Sequence, residues 1–217
     1  MANRYNIEEL ILYIEALFLA AGMDVDKSAI VAQLLVEADL MGHTTHGIAQ
    51  APAYLSGLEN GLMLGTGDPI IVSDRGATIT WDGQRISGVW LTAMAIDLSV
   101  DRAKKYGTAT MAIRRSGHIA CLAAFLTRAT EKGCMIELAS SDPSTVSVAP
   151  YGGTKPAFTP NPIAIGIPTN KNPILIDISA SITTNGLTGR LFSEGKKLPG
   201  DWVQDKSGRA TNDPAVL

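Results

Sequence analysis

The hydrophobic pattern changes near residue 65, and this change constrains the fold more than any other feature of the chain. Before it, apolar residues recur at helical spacing, most clearly over residues 7–18. After it, short β-rich runs such as residues 77–81 alternate with helix-like segments. Because a helical period does not suit a strand, the two parts must differ in architecture. The sequence therefore predicts an α/β protein, with a helical domain over residues 1–66 and a mixed α/β domain over residues 67–217.

The predicted elements follow from this pattern and from the residues at their ends. Asn6 and Glu9 form a capping-box pattern before the first helix. A long helix over residues 89–105 ends at Gly107. Further strands are predicted over residues 69–72, 108–113, 134–139, 163–167 and 174–178, and further helices over residues 24–40 and 121–132. The alternation of strand and helix predicts at least one crossover unit, whereas the tail from residue 185 predicts neither helix nor strand.

The bulk composition argues against several classes of function. A net charge of −3 leaves no basic patch for nucleic acid. No apolar run reaches the roughly 20 residues that a membrane-spanning helix needs. Glu8 and Glu9 lie where a signal peptide would need an uncharged apolar stretch, and two cysteines, Cys121 and Cys134, are too few for a disulfide framework. We therefore expect a cytoplasmic protein that binds neither nucleic acid nor membrane.

The sequence lacks the common motifs of nucleotide-binding and hydrolytic enzymes. Residues 189–197 have one residue too many for a phosphate-binding loop and lack its final Ser or Thr. Gly65 and Gly67 open a predicted strand, whereas the Rossmann fingerprint needs glycines that open a helix. Neither the G-x-S-x-G elbow nor the H-E-x-x-H zinc motif occurs. An enzyme with this sequence must use a less common arrangement.

His43 and His46 lie in a polar segment between two predicted helices. Their spacing of three could place both rings on one helical face as half of a metal site. However, the threonines between them and Gly47 are poor helix formers, so we expect no bound metal. Gly47 permits close backbone approach by a ligand, and a neighbouring imidazole is a common proton donor to a carbonyl group. From the residues alone, a structural and a catalytic role for His46 both remain open.

His118 follows a predicted strand and precedes a predicted helix, with Arg114, Arg115 and Ser116 just before it. The free N–H groups of a helix start attract anions, and two arginines add positive charge. This segment therefore suits a 2-oxo acid carboxylate or a cofactor phosphate. The alternative interpretation is a surface loop in which Ser116 caps the following helix.

Six motifs follow one another along most of the chain. They are DLMGHTTHGI at residues 39–48 with Pro52 and Tyr54, SGHI at 116–119, VAPYGG at 148–153, NPIAIGIP at 161–168, ILIDIS at 174–179, and LPGDW at 198–202 with Asp205. In this order they resemble the type-2 malate/L-lactate dehydrogenase family. That family includes sulfolactate and ureidoglycolate dehydrogenases and reductases of 2-oxo and cyclic imino acids.

The resemblance implies an oxidoreductase that transfers a hydride between NAD or NADP and a small-molecule substrate, on an α/β layer that is not a Rossmann fold. It implies that His46 donates a proton to the substrate oxygen and that His118 is a second active-site histidine. It further implies a homodimer with the active site near the subunit interface. The cofactor would contact one strand and the residue after it, with Asp177 and Ser179 as polar contacts: Ile174, Leu175, Ile176, Asp177, Ile178 and Ser179.

The sequence departs from the family pattern at several places. Gln50 stands where the family usually has an arginine that would hold the substrate carboxylate, and glutamine offers no charge. Either Arg114 or Arg115 takes over this role, with Ser116 beside them, or the substrate or the activity differs. Ala120 and Phe125 replace a common glycine and tyrosine. The family also continues beyond the last motif, so the alternative expectation is a truncated or non-catalytic relative that binds a ligand or a partner subunit without turnover.

Overall fold

The computed structural model describes residues 4–216, and its first two helices begin where the sequence signals predict. Helix α1 (Ile7–Ala20) starts at Asn6, whose side-chain oxygen accepts a hydrogen bond from the Glu9 N–H at 3.1 Å. Helix α2 (Val25–Leu40) packs against α1. Each helix turns an apolar face inward, and Phe18 and Leu35 are fully buried. Burial of these faces stabilises both helices more than their intrinsic propensity does.

A three-stranded sheet follows a short 3₁₀ helix (Ile48–Gln50) and helix α3 (Ala51–Glu59). Its strands, in the order β1-β2-β3, are β1 (Ile70–Asp74), β2 (Thr78–Asp82) and β3 (Thr110–Arg114). Strand β1 is antiparallel to β2, and β2 is parallel to β3. The connection between the parallel strands is helix α4 (Gly88–Tyr106), so the predicted crossover unit is β2–α4–β3. Helix α4 ends at Gly107, which has a left-handed φ of 84°.

The sheet and α4 share a core. Ile79 and Trp81 of β2 pack with Ala95 of α4. Helix α5 (Ala123–Thr130) also packs against α4, and its Phe125 is fully buried. The alternation of buried and exposed residues along β2 thus places its apolar side chains against the helices.

The rest of the chain forms a second sheet and a series of short elements. The second sheet has the order β4-β5-β6, with β4 (Ile136–Ala139), β5 (Ile163–Ile167) and β6 (Ile174–Ile178). Helix α6 (Asn185–Ser193), strands β7 (Val203–Gln204) and β8 (Ala210–Thr211), and a 3₁₀ turn (Pro214–Val216) complete the described chain.

The prediction of a tail without helix or strand is therefore wrong. Helix α6 contains two glycines, which hide its periodicity, but the Thr184 side chain accepts the Leu187 N–H at 3.1 Å and caps its start. Thr188, inside the helix, is fully buried. Strands β7 and β8 pair across a turn in which the Asp205 carboxylate accepts several hydrogen bonds, so local polar contacts replace the missing apolar signal.

The chain is a mixed α/β protein that divides into two compact units by its internal contacts. One comprises the described residues up to Ile136 together with Ile165–Leu175, and the other comprises Glu137–Ala164 together with the residues from Ile176 onward. Within the first unit the helices and the first sheet lie together, and the division at residue 66 remains a prediction. Over residues 4–216, no helix is both long enough and apolar enough to cross a membrane.

Candidate active site

His46 lies in the turn that follows α2, where short backbone and side-chain contacts fix its ring. The backbone N–H of His46 donates to the His43 carbonyl at 2.8 Å, which closes the turn. The Thr45 hydroxyl lies 2.9 Å from His46 Nδ1. The imidazole is half-buried. A ring held at Nδ1 presents its Nε2 edge in a fixed direction, as a proton-transfer group requires.

Asp39, on the last turn of α2, anchors the segment that carries His46. Its carboxylate accepts the Ile48 N–H at 2.8 Å. A β-carbon added to Gly47 would lie only 2.4 Å from the Asp39 carboxylate carbon, so the carboxylate occupies the space that any other residue would need. Gly47 is therefore required by this close approach. The Asp39 carboxylate thus fixes the backbone directly after His46.

Gly47→Ala is expected to cost about 2 kcal/mol of stability, because the new methyl group displaces Asp39 from the Ile48 N–H and breaks a hydrogen bond to a charged acceptor. Urea denaturation measures this change. The matched control is a double-mutant cycle with Asp39→Ala, which removes the obstructing carboxylate. In the Asp39→Ala background, Gly47→Ala should cost almost nothing further. An equal cost in both backgrounds would contradict the steric assignment.

His118 lies in the loop between β3 and α5, and the start of α4 holds that loop. The Gly117 N–H donates to the Ile86 carbonyl at 3.0 Å. A β-carbon added to the buried Gly88 would lie 2.1 Å from the Gly117 carbonyl oxygen. The two backbone segments therefore touch at a distance that only glycine allows, and this contact sets the position of His118.

Tyr54 reaches the same histidine from α3. Its hydroxyl lies 2.7 Å from His118 Nδ1, and the two ring centroids are 5.9 Å apart in an edge-to-face arrangement. Tyr54 is buried, and burial raises the pKa of its phenol above the ordinary value. The phenol therefore stays protonated and can donate to the imidazole.

The two predicted histidines come together in this structure. The His46 and His118 rings stack with centroids 6.0 Å apart and planes inclined by 30°. His118 is exposed and His46 is half-buried. Both residues belong to the first compact unit. Two imidazoles at this separation can both reach one small ligand.

Gln50 uses its side-chain amide to hold the backbone next to His46. Its Nε2 donates to the Thr45 carbonyl at 2.7 Å. The residue is half-buried at the end of the 3₁₀ helix. One amide donor is thus engaged in shaping the His46 turn.

Arg114 and Arg115 meet a buried carboxylate at the end of β2. Arg114 Nε lies 3.0 Å from Asp82 Oδ2, and Arg115 binds both carboxylate oxygens, through Nε and Nη2 at 2.8 Å each. The hydrogen bond from Arg115 is the main cause that lowers the pKa of Asp82 to about 2. Both arginine side chains remain more than half exposed, at 65% and 58%. Two guanidinium groups around one carboxylate leave an excess positive charge at this surface.

Ser116 donates from its hydroxyl to the Gly117 carbonyl at 2.9 Å and is exposed. It does not cap α5, because that helix begins only at Ala123. The alternative interpretation of Ser116 as a helix cap is therefore wrong. The loop before the helix is longer than predicted, and Ala120 within it adopts a positive φ of 56°.

The predicted cofactor strand is β6, whose bounds match the sequence prediction. Its isoleucines at positions 174, 176 and 178 are exposed, by 51%, 40% and 62% respectively. Asp177 and Ser179 are half-buried, and the Ser179 hydroxyl donates to the Ser181 carbonyl at 3.0 Å. The strand thus offers an apolar surface with polar groups beside it.

Three residues that build this site have no role predicted from the sequence. Asp39 and Tyr54 were identified only as members of a motif, and Asp82 was not singled out. An aspartate eight residues before Gly47, or a single tyrosine on a short helix, gives a weak signal by itself. Their partners lie elsewhere in the sequence, so only the fold brings them together.

Comparison with known proteins gives a consistent result. A family model described as malate/L-lactate dehydrogenase matches residues 5–217. The chain is 29% identical to an L-sulfolactate dehydrogenase of Methanothermobacter thermautotrophicus over 98% of its length and 62% of that protein. It is 30% identical to a Delta(1)-pyrroline-2-carboxylate/Delta(1)-piperideine-2-carboxylate reductase of Pseudomonas syringae pv. tomato, over 96% of this chain and 61% of that protein.

The solved structures agree with the sequence comparison. The crystal structure of malate dehydrogenase from Entamoeba histolytica is 27% identical and superposes with a TM-score of 0.93, over 99% of this chain and 60% of that one. The chain therefore spans about three fifths of the length of the relatives that it matches.

Proposed function

Because this chain belongs to the malate/L-lactate dehydrogenase family, we propose that its protein is an NAD- or NADP-dependent oxidoreductase. The substrate would be a small 2-oxo or 2-hydroxy acid, or a cyclic imino acid. Relatives with names of both kinds support this range: one is a sulfolactate dehydrogenase, and another is a reductase of pyrroline and piperideine carboxylates. The stacked His46–His118 pair, with ring centroids 6.0 Å apart, is the observation that carries the proposal.

His46 would exchange the proton. A bound reduced nicotinamide would supply the hydride, and negative charge would develop on the substrate oxygen or nitrogen. Thr45 holds His46 Nδ1 at 2.9 Å, which leaves Nε2 as the atom to deliver a proton to that position. The Asp39 contact with Ile48 keeps this turn from shifting during the transfer.

The substrate carboxylate needs a cation or several hydrogen-bond donors. Gln50 can contribute only part of its amide, because Nε2 already donates to Thr45. Arg114 and Arg115 carry an excess positive charge after pairing with Asp82, and both are exposed beside Ser116. We assign the carboxylate to this arginine pair, with Ser116 and Gln50 as further donors.

The residues of β6 are compatible with the cofactor. A dinucleotide presents flat aromatic rings and hydroxyl-rich sugars, and β6 presents exposed isoleucines flanked by Asp177 and Ser179. Apolar side chains can cover a ring, while a carboxylate or hydroxyl can bond a sugar. This is the chemistry expected of Ile174–Ser179 if they contact NAD or NADP.

A second candidate function is that of a relative that binds ligand or a partner subunit without turnover. Gln50 favours it, because an uncharged amide engaged with Thr45 cannot replace a bidentate arginine at the carboxylate. In that case the stacked histidines would remain as a binding surface rather than a proton-transfer site.

The proposal includes a homodimer in the cytoplasm. On α1, Leu12 and Tyr13 are exposed by 64% and 62%, which supports a further surface that covers them in the assembled protein. Cys121 and Cys134 are thiols rather than a disulfide, as a reducing compartment permits.

The test combines binding and turnover. The chain is titrated with NADH and NADPH, followed by nicotinamide fluorescence, and is then assayed for loss of reduced-nicotinamide absorbance with 2-oxo acids and cyclic imino acids. Turnover supports the oxidoreductase and identifies the substrate class. Binding without turnover favours the second candidate, and absence of both contradicts the role assigned to β6 and to the histidine pair.

A further inference from the structure

Two groups that can donate a hydrogen bond converge on one nitrogen of His118. The Tyr54 hydroxyl lies 2.7 Å from Nδ1, and the Ala120 N–H points at the same atom from 3.3 Å. The Tyr54 hydroxyl is also 3.4 Å from the His118 carbonyl oxygen, a much weaker contact. Because the Ala120 N–H already points at Nδ1, a lone pair on that nitrogen and a Tyr54 hydroxyl proton directed at it give both contacts a donor and an acceptor.

The donor and acceptor chemistry of these groups bears on the protonation of the ring. A backbone N–H can only donate, so the nitrogen that it faces must accept. A proton on Nδ1 would point at the Ala120 N–H and leave the two donors opposed. In a neutral imidazole with Nδ1 as acceptor, the single proton lies on Nε2.

We propose that Tyr54, with the Ala120 N–H, holds His118 as the neutral tautomer protonated at Nε2, and that His118 therefore acts as a hydrogen-bond donor and not as the proton-transfer group. Tyr54 is thus a positioning residue that acts through His118. The meaning of this tautomer for catalysis rests on the proposed function, but the tautomer itself is a property of the chain without cofactor or substrate.

This assignment gives the two stacked rings different roles. Two imidazolium ions with centroids 6.0 Å apart would repel each other in a partly desolvated site. If His118 stays neutral, His46 can carry a proton without that repulsion. A neutral donor at Nε2 can still bond a carbonyl or carboxylate oxygen and stabilise charge that develops there.

The experiment is histidine-selective ¹⁵N NMR of the full chain near neutral pH. The chain contains only three histidines, so His43→Gln and His118→Gln spectra assign every ring. We expect His118 to show a bare Nδ1 and a protonated Nε2. In Tyr54→Phe, which removes only the hydroxyl, the population of the Nδ1-protonated form should rise about fivefold, the factor expected for one net hydrogen bond. Tyr13→Phe, at an exposed position of α1, is the matched control and should leave the His118 signals unchanged.

A proton on Nδ1 in the wild-type chain overturns the proposal, and so does a Tyr54→Phe spectrum identical to that of the wild type. If Tyr54→Phe does not fold, a Tyr54 hydroxyl-proton resonance coupled to His118 Nδ1 in the wild-type chain decides the same point. None of these measurements needs nicotinamide. A chain that fails to bind NADH would contradict the proposed function and leave the tautomer result intact.

Discussion

Replacing His46 with alanine is expected to lower the reduction rate by about a hundredfold or more, the usual contribution of a general acid, while NADH or NADPH binding is retained. The reason is geometric. Thr45 and the turn around Gly47 fix the His46 ring, and alanine removes the only group in this turn that we expect to deliver a proton. Steady-state absorbance assays give the rate, and a fluorescence titration gives the cofactor affinity.

The matched control is His43→Ala. His43 lies three residues earlier in the same turn and is similarly half-buried, but its contact with the turn is made by its backbone carbonyl, which alanine retains. We expect the reduction rate of the His43→Ala variant to stay within a few-fold of the wild-type rate. An unchanged rate in His46→Ala would exclude His46 as the proton donor. Equal losses in the two variants would indicate general damage to the turn.

The strands show how far apolar patterning can predict this fold. Residues 163–167 and 174–178 were predicted with their observed bounds, because each is a short isoleucine-rich run that begins directly after a proline. Helix α6 was missed because its stability comes from the Thr184 cap and from a buried Thr188, neither of which produces an apolar period. Sequence thus predicts the elements whose signal is hydrophobic and misses those stabilised by local polar contacts.

In the candidate site, the sequence predicts only the residues that belong to its motifs. His46 and His118 were both identified as candidates, but their 6.0 Å stacking depends on how α3 and α4 place two loops. The partners of the histidines and arginines are the part that could not be predicted. Tyr54 bonds His118 across 64 residues, and Asp82 bonds Arg115 across 33. Such pairs are created by the β2–α4–β3 crossover and the helix packing, and a single sequence contains no signal for them.

Gly88→Ala should be the most destabilising of the glycine substitutions considered, by about 3 kcal/mol, at the upper end of the usual cost of overpacking. The new β-carbon would lie 2.1 Å from the Gly117 carbonyl oxygen and 2.7 Å from that of His118. Both obstacles are backbone atoms, so no side-chain rotation can relieve the overlap. The loop would have to move away from α4, and His118 would lose its contact with Tyr54.

Unfolding of this region can be followed separately, because Trp81 and Trp90 are buried in the first unit, whereas Trp202 belongs to the second. In a Trp202→Phe background, urea titration monitored by fluorescence therefore reports on the unit that contains Gly88. The matched control is Gly189→Ala, in exposed helix α6, where an added β-carbon meets nothing within 4 Å. Helix α6 belongs to the second unit, so the transition reported by Trp81 and Trp90 should stay unchanged in this control. With Trp202 retained, the lower backbone entropy of alanine in the unfolded chain should stabilise the second unit by about 0.5–1 kcal/mol. A Gly88→Ala variant as stable as the wild type would show that the α4 start and the His118 loop can separate freely, and the fixed position assigned to His118 would then be wrong.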